Sequence, residues 1–411
     1  MKYGLIGEKL GHSFSKEIHE ALGGYEYELL EIPRDGLDAF MKKRDFTAIN
    51  VTIPYKEAVI PYLDFVSDKA RAIGAVNTIV NRDGRLYGYN TDFSGMTDLI
   101  NKAKIEIKNK KVLIAGTGGT SKTSFAVAKA LGAREIYLVS RSEKEGAITY
   151  DQAYVRHSDA EVIINTTPVG MFPRAEGLSV DTERFASLEG AIDAIYNPLR
   201  TRFVQNASRK GAAAEGGLYM LVAQGVRASE IFLGRAYPDG AVDEIYNKIL
   251  KSKENIVLSG MPGCGKSTIG KLLAKRLGRP FIDLDDEIVK LAGKPITEIF
   301  AEGGESHFRD IETEAVRKNA SMSGAVIATG GGAVLRDENV DLLKQNGRIY
   351  FLDRPIEQLM PTADRPLASS AEAIMKRYNE RFPRYCAVCD VHLKTDGVAE
   401  HAAEDIGKDF V

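Results

Sequence analysis

The stretch GMPGCGKST, Gly260–Thr268, has the glycine and Gly-Lys-Ser spacing of a phosphate-binding loop. The apolar run Ile256–Leu258 before it predicts a buried strand, and the residues after it have the periodicity of an amphipathic helix. In such a loop, backbone N–H groups surround the β-phosphate, Lys266 reaches the β- and γ-phosphates, and Ser267 ligates Mg²⁺. The stretch therefore predicts a nucleotide-binding domain with a parallel sheet. Its predicted nucleotide contacts are Gly263, Cys264, Gly265, Lys266, Ser267 and Thr268.

A second glycine-rich stretch, Gly116–Ser121 (GTGGTS), follows the apolar run Lys110–Ala115 and precedes a predicted helix over Lys122–Leu131. This order is typical of a Rossmann dinucleotide-binding turn, in which the first glycine permits the turn and the second lets the backbone approach the pyrophosphate. A plain strand-to-helix turn is the alternative interpretation. The predicted dinucleotide contacts are Gly116, Gly118, Gly119 and Thr120.

The strand predicted after this turn ends in Ser140-Arg141-Ser142. Enzymes that use NAD usually place an Asp or Glu here, where it binds the ribose 2′-hydroxyl. An arginine flanked by two hydroxyls suits a 2′-phosphate instead, because charge-assisted hydrogen bonds can form. The sequence therefore favours NADP, and an exposed arginine after a strand is the alternative.

The composition predicts a globular chain without a nucleic-acid or membrane partner. Of the 411 residues, 44% are hydrophobic and 27% charged, and the net charge is −2, which gives little attraction for polyanions. No stretch approaches the roughly 18 apolar residues of a membrane-spanning helix. The N-terminus reads into a strand without a signal-peptide profile, so we expect a cytoplasmic protein.

The three cysteines predict neither a disulfide framework nor a metal site. Cys386 and Cys389 have C-x-x-C spacing, and Cys264 lies in the phosphate-binding loop. A zinc site would need two further ligands, which no second pair supplies. We interpret the spacing as a coincidence.

Polar residues follow apolar runs at four places in the first hundred residues, where their side chains could converge on a ligand. These places are Gly11–Ser15 (GHSFS), Asn50–Lys56 (NVTIPYK), Gly74–Thr78 (GAVNT) and Gly88–Asp92 (GYNTD). Taken singly, Ser15 could cap a helix over Lys16–Leu22, and Lys56 could be solvated. Together with three later motifs, they resemble the shikimate dehydrogenase family over residues 1–250. The later motifs are Asn165–Met171 (NTTPVGM), Ile195–Pro198 (IYNP) and Gly217–Gln224 (GLYMLVAQ).

This resemblance implies NADPH-dependent reduction of 3-dehydroshikimate to shikimate, with Lys56 and Asp92 as the catalytic pair. The lysine would stabilise and protonate the developing alkoxide, and the aspartate would orient it. Ser13 and Ser15 would bind the substrate carboxylate. The further substrate contacts that it implies are Thr52, Asn77, Tyr196 and Gln224, and the further cofactor contacts are Asn165 and Thr166.

Motifs after the phosphate-binding loop resemble shikimate kinase over residues 254–411. They are Phe281–Asp285 (FIDLD), Ile299–Glu312 (IFAEGGESHFRDIE), Thr329–Gly332 (TGGG), Asp364–Leu367 (DRPL) and Asn379–Tyr385 (NERFPRY). Two carboxylates at i and i+2 on a strand would share one face, and arginines from separate elements suit a carboxylate or a transferring phosphate. A surface ion pair is the alternative for each arginine alone.

This second resemblance implies ATP and Mg²⁺ as cofactors and shikimate as acceptor. Asp283 would lie near Mg²⁺ together with Ser267, and Asp285 would bind the 3-hydroxyl and act as base. Lys266 and Arg365, the latter on a lid, would act at the transferring phosphate. The implied acceptor contacts are Asp285, Arg309, Gly330, Gly331, Gly332 and Arg381.

We therefore expect an α/β fold with three domains. Residues 1–100, completed by helices over about 215–250, would form an α/β substrate domain. Residues 101–214 would form a Rossmann NADP-binding domain, and residues 254–411 a P-loop kinase domain with a parallel sheet. The product of the first half would be the substrate of the second.

Two departures from the family patterns leave alternatives open. The segment 143–157 is short, which favours a degenerate dehydrogenase that only binds or senses shikimate. The intact Lys56/Asp92 pair argues against that alternative. Quinate in place of shikimate is a third alternative. The second departure lies in the kinase half, where the region before Arg365 is short and lacks an arginine near the expected adenine site.

Overall fold

The computed structural model describes residues 2–11, 13–359 and 371–410, and these form two compact units, Met1–Ile249 and Leu250–Val411. The division falls within helix α9 (Ala241–Lys253). Three sheets organise the chain, two in the first unit and one in the second. Among the described residues, no helix combines the length and apolar character that crossing a membrane requires. An α/β fold with a Rossmann domain and a P-loop domain was predicted, and it is confirmed.

The first sheet is mixed and has the strand order β2-β1-β3-β5-β6-β4. Its strands are β1 (Tyr3–Gly7), β2 (Glu28–Glu31), β3 (Ala48–Val51), β4 (Phe65–Val66), β5 (Thr78–Arg82) and β6 (Arg85–Tyr89). Neighbouring residues alternate between faces, so Leu5 and Ile6 enter different cores, as do Ala48 and Ile49. Strand β5 is antiparallel to both neighbours, which brings the ends of β3 and β6 close to the start of β5.

The second sheet is parallel and has the order β12-β11-β10-β7-β8-β9. Its strands are β7 (Lys111–Ala115), β8 (Glu135–Ser140), β9 (Ala147–Thr149), β10 (Val162–Asn165), β11 (Gly190–Asp193) and β12 (Ala213–Glu215). Val112 and Leu113 enter separate buried clusters, because both faces are covered. The chain leaves β7 first toward β8 and later returns on its other side to β10. Ligands bind at such a switch point.

Nine α-helices accompany these two sheets among the described residues. They are α1 (Ser15–Leu22), α2 (Leu37–Lys43), α3 (Asp68–Ile73), α4 (Asp92–Lys102), α5 (Gly119–Ala130), α6 (Tyr150–Arg156), α7 (Arg202–Arg209), α8 (Leu218–Leu233) and α9. Helices α4 and α8 approach closely at Gly95, where a Cβ would stand 2.7 Å from the carbonyl oxygen of Met220. This glycine therefore lets the two helices bring their polar residues together.

The second unit contains one parallel sheet with the order β14-β15-β13-β16-β17. Its strands are β13 (Asn255–Ser259), β14 (Phe281–Asp283), β15 (Val326–Ala328), β16 (Gly347–Asp353) and β17 (Val391–Lys394). Its helices are α10 (Lys266–Leu277), α11 (Leu284–Ala292), α12 (Ile296–Ala320), α13 (Asp337–Asn346), α14 (Ala371–Val388) and α15 (Ala399–Phe410). The central strand β13 leads directly into the phosphate-binding loop.

Two predicted boundaries are wrong. The helix expected from Lys122 already begins at Gly119. Asp285 was expected on a strand with Asp283, but it lies in the first turn of α11, because Asp283 ends β14 and caps that helix.

Candidate active sites

Lys56 and Asp92 form a buried ion pair in the first unit. The lysine Nζ lies 2.6 Å from Oδ2 of Asp92, and the two side chains are only 14% and 7% exposed. Lys56 lies in the loop after β3, and Asp92 is the first residue of α4. The partial positive charge of a helix N-terminus favours a carboxylate at this position. The contact therefore fixes the direction of the Lys56 side chain.

Asn77 contacts the second oxygen of Asp92 and links it to Gln224. Asn77 donates from Nδ2 to Oδ1 of Asp92 at 2.8 Å, and the same amide lies 3.4 Å from Oε1 of Gln224 on α8. The backbone N–H of Thr91 donates to Oδ1 of Asn77 at 2.8 Å, which fixes the amide orientation. Four predicted residues, Lys56, Asn77, Asp92 and Gln224, thus form one connected group.

Ser13, Ser15 and Tyr196 form a second predicted group. The hydroxyl of Ser13 donates to that of Ser15 at 3.1 Å and accepts the backbone N–H of Ser15 at 3.2 Å. Burial raises the pKa of the Tyr196 hydroxyl, and a side-chain hydrogen bond with Ser13 opposes that rise. The alternative role of Ser15 as a helix cap is wrong, because Ser15 is the first residue of α1 and Phe14 occupies the cap position without a side-chain bond. Thr52 directly follows β3, and its methyl group packs against Gly7.

The glycine turn after β7 is closed by two hydroxyls. Gly116 has φ of +117°, and a Cβ there would stand 2.5 Å from Oγ1 of Thr166, so no other residue fits without strain. Ser121 bonds Thr166 at 2.7 Å and accepts the N–H of Gly118 at 3.1 Å. Ser121 occupies the third position of the glycine motif, and its hydroxyl stabilises the turn. No described atom lies within 4 Å of a Cβ placed on Gly118, so the turn leaves room for a diphosphate.

This turn lies beside the catalytic pair. A Cβ on Gly119 would stand 3.6 Å from Cδ of Lys56, and Lys122 pairs with Glu57 at 2.7 Å. Because Gly119 and Thr120 open α5, the free N–H groups of this helix begin next to the lysine. A dinucleotide bound at this turn would therefore reach the catalytic pair.

The residues after β8 lie at the surface near this turn. Ser140 ends β8, and Arg141 and Ser142 are exposed. The prediction missed Lys144, whose Nζ donates to Oγ1 of Thr117 at 3.0 Å. Its position, three residues after Arg141 in the short segment before β9, was the available signal. A second cation thus stands where an anionic group of the cofactor could bind.

Asn165, one of the predicted cofactor contacts, is fully buried at the end of β10. Its amide donates to Oδ1 of Asp193 at 2.9 Å and accepts the N–H of Thr167 at 3.0 Å. Asp193 also accepts the hydroxyl of Thr201 at 2.6 Å. Burial raises the pKa of Asp193 to about 7. Asn165 therefore supports, from the buried side, the loop that carries Thr166.

The phosphate-binding loop joins β13 to α10 in the second unit. Gly260, Gly263 and Gly265 have positive φ values of 144°, 85° and 97°, which only glycine adopts readily. Lys266 is buried, and its Nζ donates to the carbonyl oxygens of Gly260 at 2.9 Å and Met261 at 3.0 Å. The side chain of Cys264 enters the core, so this residue offers its backbone to a phosphate.

Ser267 and Asp283 bring two oxygens together at the edge of this loop. The serine hydroxyl donates to Oδ2 of Asp283 at 2.5 Å, and Oδ1 of Asp283 accepts the N–H of Asp285 at 3.1 Å. Oxygen ligands of this kind suit Mg²⁺. The Asp283 carboxylate thus links the loop to the first turn of α11, where Asp285 lies.

Three consecutive glycines form the floor under the charged groups. A Cβ on Gly330 would stand 2.7 Å from Oε1 of Glu312 and 3.0 Å from Oδ1 of Asp285, and a Cβ on Gly332 would collide with the Arg309 guanidinium. A Cβ on Gly331 would stand 2.8 Å from Pro262. Glycine is therefore required for the close approach of these side chains.

Glu312 is a site residue that the prediction missed. Arg309 donates from Nη1 to Oε2 of Glu312 at 2.6 Å and from Nη2 to Oε1 of Glu305 at 3.0 Å. Burial raises the pKa of the Glu312 carboxyl, and its contacts with Arg309 oppose that rise. The i, i+3 spacing on α12 was the available signal. Glu312 holds the guanidinium of Arg309 against the glycine floor.

A cavity of about 510 Å³ connects the phosphate-binding loop to these groups. Arg381 lines it from α14 and donates to the carbonyl oxygen of Gly331 at 3.2 Å. Arg365 lies outside the described residues. The predicted residues that line the cavity are Gly263, Gly265, Lys266, Ser267, Thr268, Asp285, Arg309, Gly330, Gly331, Gly332 and Arg381.

Two family models match the chain. The model of the shikimate dehydrogenase substrate-binding domain matches residues 5–79, and the model of shikimate kinase matches residues 262–410. The NADP(+)-dependent shikimate dehydrogenase of Clostridium beijerinckii is 39% identical over 247 residues, which are 56% of this chain and 91% of that protein.

Solved structures give the same result for the first unit. Shikimate dehydrogenase 1 of Peptoclostridium difficile is 36% identical, with a TM-score of 0.57, over 61% of this chain and 98% of that one. Shikimate 5-dehydrogenase of Thermus thermophilus in complex with NADP(H) and shikimate is 29% identical, with a TM-score of 0.54, over 60% of this chain and 99% of that one. The chain therefore belongs to the shikimate dehydrogenase family and carries a shikimate kinase domain fused after it.

Proposed function

We propose that this chain reduces 3-dehydroshikimate to shikimate with NADPH and then phosphorylates shikimate at its 3-hydroxyl with ATP. The observation that carries the proposal is the presence of two complete charged sites in one chain. One is the Lys56–Asp92 pair beside the glycine turn. The other is the cavity that joins Lys266 to Asp285 and Arg309.

In the first site, Lys56 binds the carbonyl oxygen that is reduced. Its ammonium group stabilises the negative charge that develops on this oxygen and donates a proton to it. Asp92 orients the lysine, since Nζ of Lys56 and Oδ2 of Asp92 lie 2.6 Å apart. Asn77, Gln224 and Thr52 bind the ring hydroxyls, and Ser13, Ser15 and Tyr196 bind the carboxylate.

The glycine turn fits the diphosphate of NADP(H), because a Cβ on Gly118 would meet open space and α5 begins at Gly119. Bound there, NADPH would supply the hydride for the reduction. Arg141 and Lys144 bind its 2′-phosphate through charge-assisted hydrogen bonds. Thr120 contributes its backbone N–H, Thr166 positions the turn, and Ser140 and Ser142 border the ribose.

In the second site, Asp285 accepts the proton of the acceptor hydroxyl, and Arg309 and Arg381 bind the acceptor carboxylate. Lys266 leaves the carbonyl oxygens of its own loop to bind the phosphates of ATP. The oxygens of Ser267 and Asp283 fit Mg²⁺, which would balance phosphate charge. Arg365, by resemblance, adds a further cation at the transferring phosphate.

We assign the ligands to three segments of the chain. Residues 1–100, completed by about 215–250, bind 3-dehydroshikimate. Residues 101–214 bind NADPH, and residues 254–411 bind ATP and shikimate. Since all these ligands are small metabolites, we place the protein in the cytoplasm.

Separate assays on the full chain test the two activities. NADPH absorbance is followed with 3-dehydroshikimate, and ADP release is followed with shikimate, ATP and Mg²⁺. We expect both signals, each dependent on its own substrate. Absence of NADPH oxidation would contradict the reductase assignment, and absence of shikimate-dependent ADP release would contradict the kinase assignment.

A further inference from the structure

Arg377 lines the cavity of the second unit, although no motif of the sequence singled it out. It lies on α14 one helical turn before Arg381, so both guanidinium groups are on the same side of this helix. The side chain is half-buried, and its Nη1 atom is fully buried. Among the described residues, this buried atom has no hydrogen-bond partner.

The charge of Arg377 differs from that of Arg309 in how it is balanced. Two carboxylates, Glu312 and Glu305, accept hydrogen bonds from Arg309. Over residues 2–11, 13–359 and 371–410, no carboxylate oxygen lies within 4.0 Å of Arg377 or Arg381. Burial and the neighbouring Arg381 both lower the pKa of Arg377. A buried donor without a partner is costly, and an anionic ligand would relieve that cost.

The position of Arg377 points to the acceptor end of the cavity. Besides burial, the neighbouring charges Arg381 and Arg309 lower the pKa of Arg377, and the carboxylates Glu305 and Glu380 oppose that change. Of these, Arg381 donates to the carbonyl oxygen of Gly331, and the Arg309 guanidinium lies against Gly332, so both belong to the predicted acceptor contacts. The apolar side chains of Phe300 and Phe308 also line the cavity, and they fit the carbon ring of an acceptor.

We propose that Arg377 is a third cation for the acceptor carboxylate and sets the preference of this site for an anionic acceptor. The inference rests on the proposed kinase function. Arg309 and Arg381 hold the carboxylate from the glycine floor, and Arg377 donates to it from α14. A charge-assisted hydrogen bond of this kind contributes about 1.5–3 kcal/mol.

The test compares Arg377→Ala and Arg377→Gln with the wild-type full chain in steady-state kinase assays. We expect the KM for shikimate to rise about 10- to 100-fold, with a smaller change in kcat and an unchanged KM for ATP. Lys376→Ala is the matched control, because it removes an exposed positive charge from the same helix. NADPH oxidation by the same preparations verifies that the chain is folded.

The carboxamide analogue of shikimate gives the second measurement. If Arg377 binds the carboxylate, its loss lowers kcat/KM for the acid far more than for the amide. A fall in kcat with an unchanged KM for shikimate would overturn the inference and place Arg377 at the transferring phosphate. Equal losses on acid and amide would also overturn it. A wild-type chain without shikimate-dependent ADP release would instead overturn the proposed kinase function and this inference with it.

Discussion

The two sites of this chain balance their charges in different ways. In the dehydrogenase unit, Lys56 already has a carboxylate partner in Asp92, whose second oxygen accepts the Asn77 amide. In the kinase unit, over the described residues, Lys266 donates to the carbonyl oxygens of Gly260 and Met261 and to Sγ of Cys264, and Arg381 donates to the carbonyl oxygen of Gly331. The lysine of the first site is therefore already paired without ligand. In the second site, Lys266 and Arg381 are available to bind anionic ligands. Substitutions should have correspondingly different consequences for catalysis and for stability.

The largest effect is expected for Lys266→Met. The substitution removes a cation that acts only when phosphate is bound, so ADP release should fall by about 10²- to 10³-fold, while thermal stability changes little. NADPH oxidation should stay at the wild-type rate. Lys271→Met, which removes an exposed lysine from the same helix, is the control. A large loss of thermal stability with retained ADP release would contradict this expectation, because Lys266 would then stabilise the fold rather than act on the phosphate.

A smaller effect on rate, but a larger one on stability, is expected for Asp92→Asn. Lys56 would lose its carboxylate while remaining buried, so kcat for NADPH oxidation should fall about 10- to 100-fold and unfolding should become easier by about 1–3 kcal/mol. Calorimetry and the dehydrogenase assay give the two values. Asp68→Asn, an exposed acid that is also the first residue of its helix, should change neither the rate nor the unfolding temperature appreciably.

The sequence predicted elements best where a motif fixes the backbone. The turns at Gly116 and Gly260–Gly265 need positive φ values, and this requirement is visible in the residue types themselves. The Asp283-x-Asp285 spacing was misread as a strand, because spacing does not tell a strand from a strand that ends in a capping aspartate. Short edge strands such as β4 and β12 depend on their neighbours in the sheet rather than on a local sequence pattern.

Residues that act through another residue were also hidden. Glu312 supports Arg309, and Asp193 supports Asn165. Each contact depends on a distance in the folded chain, and each residue type has an ordinary surface role as well. Asn165 itself was expected at the cofactor only from the family resemblance. Its burial beneath the loop follows from its register opposite Asp193 on β11.

Asp193 gives the dehydrogenase unit a pH-dependent stability. Its pKa is raised by burial to about 7, from an ordinary value near 4, so the folded chain holds a proton that the unfolded chain releases. Stability from this group is therefore complete below about pH 4 and is lost as pH rises to about 7, by up to ~1.4 kcal/mol per pH unit. The substitution Asp193→Asn removes this pH-dependent contribution to stability.

Thermal unfolding of both proteins between pH 4 and pH 8 measures that difference. The wild-type midpoint should fall relative to that of Asp193→Asn as pH rises, and the two profiles should become parallel above pH 7. Profiles that are parallel throughout the range would mean that Asp193 titrates alike in the folded and unfolded chains.

The central claim is that the product of the first site is the substrate of the second. The most direct measurement supplies the full chain with 3-dehydroshikimate, NADPH, ATP and Mg²⁺ and follows ADP release. We predict ADP release from wild type but none from Lys56→Ala, which should regain it when shikimate is added. ADP release from Lys56→Ala with 3-dehydroshikimate at the wild-type rate would contradict the account.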